Sequence, residues 1–174
     1  MTPEPKTSLC YPRAARLIDM KIPSLRGSNQ FRTIIVRHTI PAPIDEVFAR
    51  LSDHAGYIAI KGIKDARLLK PGSDHRNGLG AVRRIDLGAT WFEEEITAFE
   101  PPHRMDYKIL RSRPPIEHEL GSIRLEEKAQ GTEVTWMSRF RIRIPLIGRW
   151  LTRPAASAGE KAFRRMLKAI ELQV

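Results

Sequence analysis

The segment GTEVTWMSRFRIRIP, residues 131–145, alternates between two kinds of side chain. The first set is mostly apolar and the second contains three arginines. The first set consists of Val134, Trp136, Ser138, Phe140, Ile142 and Ile144, and the second includes Arg139, Arg141 and Arg143. Alternation over this length predicts a β-strand with one buried and one wet face. The strand is about twice the usual length, so we expect it to form one wall of a large curved sheet.

Composition predicts one globular domain. The chain has 174 residues, of which 41% are apolar, and this length allows a real core. No apolar run approaches the length of a membrane-spanning helix, and the N-terminal residues do not resemble a signal peptide. Cys10 is the only cysteine, so an internal disulfide and a cysteine-rich zinc site are both excluded. This cysteine usage favours a cytoplasmic location.

The basic excess is concentrated near the C-terminus. The formal net charge is +10, with +3 in residues 1–30, zero in residues 31–134 and +7 in residues 135–174. The body of the chain is therefore neutral, while the long strand and the segment after it are strongly basic.

The chain divides into an extension and a domain. Residues 1–30 are rich in proline and are predicted to be loose or draped over the domain of residues 31–174. FRTIIVRHTI (31–40) predicts a first strand. IDEVFARLSD (44–53) predicts a short amphipathic helix, and HAGYIAIKGI (54–63) a second short helix or turn.

The rest of the chain predicts further strands and a long final helix. Gly-, Pro- and Asn-rich turns separate about six strands, and the short connections favour antiparallel pairing. In residues 151–174, Phe163, Met166 and Leu167 share one helical side, and Thr152 and Pro154 are typical of a helix start. We therefore predict an α+β fold in which a curved antiparallel sheet of about seven strands wraps around a long C-terminal helix. Such a sheet leaves a space beside a helix about 10 Å wide.

The chain resembles the SRPBCC superfamily, which includes START domains, Bet v 1-like proteins and polyketide cyclase/dehydrase-like proteins. The resemblance covers about residues 32–173 and rests on the order of IPAPIDEVFARLSD, GLGAVRRIDLG, EEITAFEPPHRMDYKI and GTEVTW ahead of a terminal helix. It implies a helix-grip fold with an apolar cavity for hydrophobic small molecules. It implies no reaction, because the superfamily contains enzymes and carriers without shared catalytic residues. A tryptophan common after the short helices is missing here, where the chain reads YIAIKG.

Polar residues on the predicted inner faces are the candidates for chemistry. His38, Glu94 and Tyr107 could together perform acid/base work on a polyketide-like substrate, or orient a ligand carbonyl. Each also has a purely structural interpretation. His38 would be a hydrogen-bonded core residue, Glu94 a carboxylate paired with Arg84, and Tyr107 a core residue with its hydroxyl at the rim. A one-residue bulge would turn Glu93 or Glu95 inward instead.

A wider set of residues is predicted to line the ligand cavity. These residues are His38, Phe92, Glu94, Ile96, Met105, Tyr107, Trp136, Ser138, Phe140, Phe163 and Met166. Leu146, Ile147 and Trp150 are predicted to lie at its entrance, either packed inward as a lid or facing a lipid surface. No metal and no nucleotide cofactor is expected, because the histidines lack ligand spacing and GLG (78–80) lacks the helix and lysine of a phosphate loop. The histidine of EHE (117–119) is interpreted as part of an ordinary polar strand.

Three functions remain open at this point. The leading one is binding or transfer of a lipid, isoprenoid or polyketide-like molecule. The second is a cyclase/dehydratase-like enzyme, and the third is an interaction module whose basic face docks on an acidic partner. The basic face itself is interpreted as solvated surface or as a contact with anionic membrane. Nucleic-acid binding is disfavoured because the outward faces of the predicted strand and helix contain few aromatic residues.

Overall fold

The computed structural model describes residues 31–174, and the extension predicted over residues 1–30 lies outside them. Within the described residues, seven strands, two α-helices and one 3-10 turn follow one another. In chain order they are β1 (Arg32–Ile40), α1 (Ile44–Ser52), the 3-10 turn (Gly56–Ala59), β2 (Asp65–Lys70), β3 (Val82–Asp86), β4 (Trp91–Glu100), β5 (Arg104–Arg113), β6 (Ile116–Lys128), β7 (Gly131–Ile142) and α2 (Gly148–Glu171).

The strands form one antiparallel sheet in the order β1-β7-β6-β5-β4-β3-β2. The hairpins from β2 to β7 are sequential, and β1 joins the sheet by pairing with β7 at its far edge. The predicted α+β helix-grip architecture is confirmed. Of the two short helices predicted after β1, the first is α1 and the second is the single 3-10 turn.

The alternation of β7 is confirmed along its whole length. Every second side chain from Thr132 to Ile142 is buried, and the residues between them are half-buried. The buried set faces α2, which packs against β1 and β7. Trp136 on β7 and Phe163 on α2 stack with ring centroids 4.3 Å apart and planes 12° from parallel. The stacked rings fill the space between sheet and helix at this point.

Helix α2 begins earlier than its start signals predict. It starts at Gly148, so that Thr152 and Pro154 lie inside it. The Thr152 hydroxyl accepts the Ile142 N–H (3.1 Å) and donates to the Gly148 carbonyl (2.8 Å), and so joins the end of β7 to the first helical turn. Pro154 has no N–H to donate to the carbonyl of Trp150 one turn earlier. None of the helices in residues 31–174 is long and apolar enough to cross a membrane.

Bulges interrupt the middle strands. The β4–β5 register shifts between Glu93 and Glu94 and again between Ile96 and Ala98, and the β6–β7 register shifts between His118 and Leu120. Each shift reverses which face the following residues occupy on one of the two strands. These reversals decide which polar side chains reach the interior.

Candidate functional site

A row of neighbouring residues crosses the inner face of the sheet. From β1 to β4 the paired residues are Ile34, Ser138, Gly121, Tyr107 and Ile96. Two members of this row are small. A Cβ atom added at Gly121 would overlap the ring of Tyr107. The ring therefore occupies space that is free only because residue 121 is a glycine.

Beyond this row, β3 and β4 contribute a buried ion pair. Arg83 donates from Nε and Nη2 to Glu94 Oε2, with both distances 2.7 Å. Arg83 is 1% exposed and Glu94 is 6% exposed. The sequence-based pairing of Glu94 with Arg84 is wrong: Arg84 pairs with Glu93 (3.1 Å). Directly opposed residues of antiparallel strands share a face, and the register opposes Arg83 to Glu94 and Arg84 to Glu93.

The guanidinium of Arg83 lies between two tyrosines. Its Cζ is 5.3 Å from the ring centroid of Tyr107 and 5.9 Å from that of Tyr57, distances at which a cation interacts with an aromatic face. Burial is the largest influence and opposes the charge of Arg83, but Glu94 and the two tyrosines together outweigh it, so the pKa of Arg83 is raised. Burial raises the pKa of Tyr57 to about 12 and also raises the pKa of Tyr107. The site therefore presents a cation and two protonated phenols.

Three polar atoms of this region have no partner. Among the described residues, His54 Nδ1, His54 Nε2 and Arg83 Nη1 are buried without a hydrogen bond. His54 is fully buried, with its ring edge-on to Tyr57 at 5.9 Å. Burial, followed by the positive charge of Arg83 and by His75, holds the pKa of His54 well below its usual range. A neutral imidazole has one donor and one acceptor, and here both are unsatisfied.

A second buried histidine is fully bonded. The Ile109 N–H donates to His118 Nδ1 (3.0 Å), so the neutral ring carries its proton on Nε2, which donates to Ser138 Oγ (3.1 Å). Burial lowers the pKa of His118 to about 4, and the positive charge of Lys108 adds to this effect. His118 is therefore a neutral residue that fixes the Ser138 hydroxyl.

Tyr107 connects the two groups of polar residues. Its ring stacks on His118 (centroids 5.5 Å apart, planes at 18°), and its hydroxyl accepts the Trp136 Nε1–H (3.0 Å). Its other side faces Arg83. We call the whole set the buried polar cluster; it consists of His54, Tyr57, Arg83, Glu94, Tyr107, His118, Trp136 and Ser138.

Part of this cluster could be predicted from the sequence. Glu94, Tyr107, Trp136 and Ser138 were predicted to face inward, and they do. His54, Tyr57, Arg83 and His118 were not assigned to a site. The bulge in β6 turns His118 to the inner face, and the available signal was Gly121, because a glycine inside a strand often marks a bulge or a close approach.

His38 lies elsewhere. On the edge strand β1, its Nε2 is 2.7 Å from Glu171 Oε2 at the C-terminal end of α2. Four strand spacings separate β1 from β4, which is about 19 Å along the sheet. The structure thus brings Glu94 and Tyr107 together around Arg83 and does not bring His38 to them.

The residues predicted to line a cavity are mostly in the core. Ile96, Met105 and Phe140 are buried, and Phe92, Phe163 and Met166 are half-buried. That they contact a ligand stays a prediction.

A hollow of about 400 Å³ lies between α1, the 3-10 turn and the C-terminal end of α2. It is lined by Arg50, Asp53, Gly56, Tyr57, Ala59, Ile170 and Gln173. Leu146, Ile147 and Trp150, which were predicted to form the entrance, are exposed at the opposite end of α2. The hollow is therefore not bordered by the predicted entrance residues.

The sheet order and the long C-terminal helix define a helix-grip protein. Residues 32–174 match the family described as "Polyketide cyclase / dehydrase and lipid transport", and the chain belongs to that family. No curated protein sequence matches the chain.

Several solved structures share the fold. The Zhui aromatase/cyclase of Streptomyces sp. R1128 is 19% identical with a TM-score of 0.70, covering 82% of this chain and 93% of that one. A START superfamily protein of Mycobacterium smegmatis is 12% identical (TM-score 0.65, 83% and 99% covered). Norcoclaurine synthase of Thalictrum flavum is 10% identical (TM-score 0.63, 82% and 93% covered). At these identities the likeness shows the fold alone.

Proposed function

We propose that the chain binds an apolar small molecule that carries a carbonyl or hydroxyl oxygen, of the polyketide-like or lipid-like class, between the sheet and α2. The observation that carries this proposal is the group of unpaired polar atoms on His54 and Arg83. Buried polar groups in proteins nearly always have a partner. A ligand oxygen would accept from Arg83 Nη1, and a ligand hydroxyl would also bond to His54.

The family supports this chemistry. Its description names polyketide cyclases and lipid transport together, and one solved structure of the same fold is an aromatase/cyclase. Both kinds of ligand combine an apolar body with a few oxygen atoms. The cluster matches that combination, because a small number of polar groups stands within an otherwise apolar core.

The hollow beside Tyr57 is the route we assign to the ligand. Its volume of about 400 Å³ lies in the range of small-molecule sites. Tyr57 lines this hollow and also lies against Arg83. Tyr57 therefore stands between the hollow and Arg83, and we assign ligand entry to displacement of its ring, whose hydroxyl donates to the Leu51 carbonyl.

A cyclase/dehydratase activity is the second candidate, and His54 is the residue that favours it. A neutral imidazole with free nitrogens beside a cation is suited to accept a proton from a bound substrate. Two other acid/base groups of the cluster already form hydrogen bonds within the protein. Glu94 bonds to Arg83, and the two ring nitrogens of His118 bond to Ile109 and Ser138. Binding needs only the free donors, so it remains the leading function.

The test compares an apolar aromatic ketone with its parent compound, which lacks the carbonyl group. We expect the wild type to bind the fluorescent aromatic ketone prodan more tightly than its parent dimethylaminonaphthalene. Replacing the ion pair as a unit, Arg83→Met with Glu94→Gln, removes the donor without leaving a buried charge unpaired. Prodan affinity should fall about tenfold, as for a lost hydrogen bond to a charged group, while the affinity for dimethylaminonaphthalene should stay unchanged.

The matched control is the neighbouring pair on the other face of the same strands, Arg84→Gln with Glu93→Gln. It should leave both affinities as in the wild type. Equal affinity of the wild type for the two probes would contradict an oxygen-binding role for Arg83.

A further inference from the structure

The connection from β7 to α2 presents apolar side chains to solvent. Leu146 is 94% exposed, Ile147 52%, Trp150 68% and Leu151 38%. We call these four residues the apolar tip. Single exposed apolar residues are ordinary on protein surfaces, but a contiguous group that includes a tryptophan marks an interaction surface.

The backbone holds the tip in this form. Leu146 has φ of 65°, a left-handed conformation that is uncommon for a residue with a branched apolar side chain. Ile147 N–H donates to the Pro145 carbonyl and Gly148 N–H to the Ile144 carbonyl, each at 2.8 Å. Because the Thr152 hydroxyl also bonds both β7 and α2, the exposed leucine is part of a fixed turn.

Positive charge surrounds the tip. Arg143, Arg149 and Arg153 are exposed, and within residues 31–174 none of the three forms an ion pair with a carboxylate. Residues 134–159 contain five arginines and no acidic residue. The Arg149 guanidinium stacks over the Trp150 ring at 4.8 Å. Tryptophan with flanking arginines at an apolar tip is the composition of a membrane-interface contact.

We propose that the apolar tip and its three arginines dock this protein on an anionic lipid surface. The apolar side chains enter the headgroup region, and the arginines contact the lipid phosphates. The contact lies at the end of α2 opposite the hollow beside Tyr57, so it orients the domain on the surface with the hollow facing away. This inference does not depend on the identity of a ligand in the interior.

The test uses the full chain and vesicles of phosphatidylcholine with or without 30% phosphatidylglycerol, a composition chosen as roughly that of a moderately anionic surface. Trp150 is the exposed tryptophan of the described residues, so its emission should shift to the blue on anionic vesicles only. In co-sedimentation, Leu146→Asn with Trp150→Gln should lower partitioning about tenfold or more. Asparagine accepts the left-handed conformation, so this variant should remain folded. Arg149→Gln with Arg153→Gln should lower partitioning onto anionic vesicles by about fivefold for each arginine removed.

Two controls carry the same changes away from the tip. Leu172→Asn alters a leucine that is 87% exposed at the other end of α2, and Lys161→Gln with Arg165→Gln removes two exposed charges from the middle of the helix. Both should bind vesicles as the wild type does. Equal losses in the charge control would overturn the proposal in favour of diffuse electrostatic attraction. A tip variant that changes self-association in sedimentation velocity, with vesicle binding unchanged, would overturn it in favour of a protein interface.

Discussion

Arg83 has more hydrogen-bond donors than the protein fills. Two of its nitrogens bond to Glu94, and the third, Nη1, faces the interior unpaired. Full burial of a guanidinium is costly unless it is paired and hydrogen-bonded. Stability alone does not explain this free donor, which together with the unpaired nitrogens of His54 is the basis of the binding proposal.

Replacing His54 should change stability and ligand binding in opposite directions. Phenylalanine keeps the ring and removes two unsatisfied nitrogens, so His54→Phe should raise the free energy of unfolding by about 1 kcal/mol. The same change should weaken ligand binding. Urea denaturation measures the first effect and probe titration the second.

His75→Phe is the control for that experiment. His75 is exposed and stacks on Phe99 with centroids 5.1 Å apart, so its replacement should change stability by no more than about 0.5 kcal/mol. A loss of stability in His54→Phe would mean that His54 has a structural partner, and would remove the main support for the ligand site.

His118 makes stability depend on pH. Its pKa is about 4 in the folded chain, against 6.5 as the ordinary value. Above pH 6.5 the ring is neutral in both the folded and the unfolded chain, so the contribution of His118 to the free energy of unfolding is at its maximum. Between pH 6.5 and pH 4 the unfolded chain takes up a proton that the folded chain does not, so stability falls with pH by about 3 kcal/mol in total.

His118→Gln isolates this contribution. Glutamine can still accept from the Ile109 N–H and donate to Ser138, but it does not titrate. The difference in unfolding free energy between wild type and variant should shrink as the pH is lowered from 7 to 4 in a series of urea titrations. A difference that is constant over this range would show that His118 does not carry the pH dependence.

At the level of elements, the pairing of β5 with β6 positions the buried polar cluster. Gly121 lies opposite Tyr107 in the register, and the ring occupies the place of the missing Cβ. Gly121→Ala should therefore displace Tyr107, break its bond from Trp136 and destabilise the fold by about 2 kcal/mol, as overpacking does. Thermal unfolding and the emission of Trp136 both report the change.

A double-mutant cycle tests the mechanism of that loss. In a Tyr107→Leu background the clash is relieved, so Gly121→Ala should cost little, and the two changes should be strongly non-additive. Additive effects would mean that the glycine is needed for the backbone of β6 and not for the ring.

The elements differ in how far their sequences predict them. In β7 and β1 the alternation is unbroken, so the inner faces of both were predicted correctly. In β4, β5 and β6 the bulges reverse the alternation, and this kept His118 out of the predicted site. Arg83 was missed although a local signal was present: it shares the inner face of β3 with the buried Ala81 and Ile85, and Arg84 lies on the opposite face. The start of α2 was predicted too late, because tertiary contacts of Thr152 outweighed its capping preference.

At the level of the whole molecule, the two ends of α2 are different. Its C-terminal end borders the hollow and is joined to the edge strand by His38 and Glu171. Its N-terminal end carries the apolar tip among arginines that form no ion pair within residues 31–174. In its middle, Phe163 stacks on Trp136 of the buried polar cluster. One helix thus separates a ligand route from a docking surface.

The most direct test is native mass spectrometry of freshly purified protein, followed by organic extraction. We expect a bound apolar molecule containing carbonyl or hydroxyl oxygen, present in the wild type and lost in Ser138→Trp, which fills the interior. Met137→Trp places the same residue on the outer face of the same strand and should retain the molecule, with circular dichroism confirming that both variants are folded. An empty wild type that also fails to take up prodan, or a molecule retained equally by both variants, would contradict an interior ligand site.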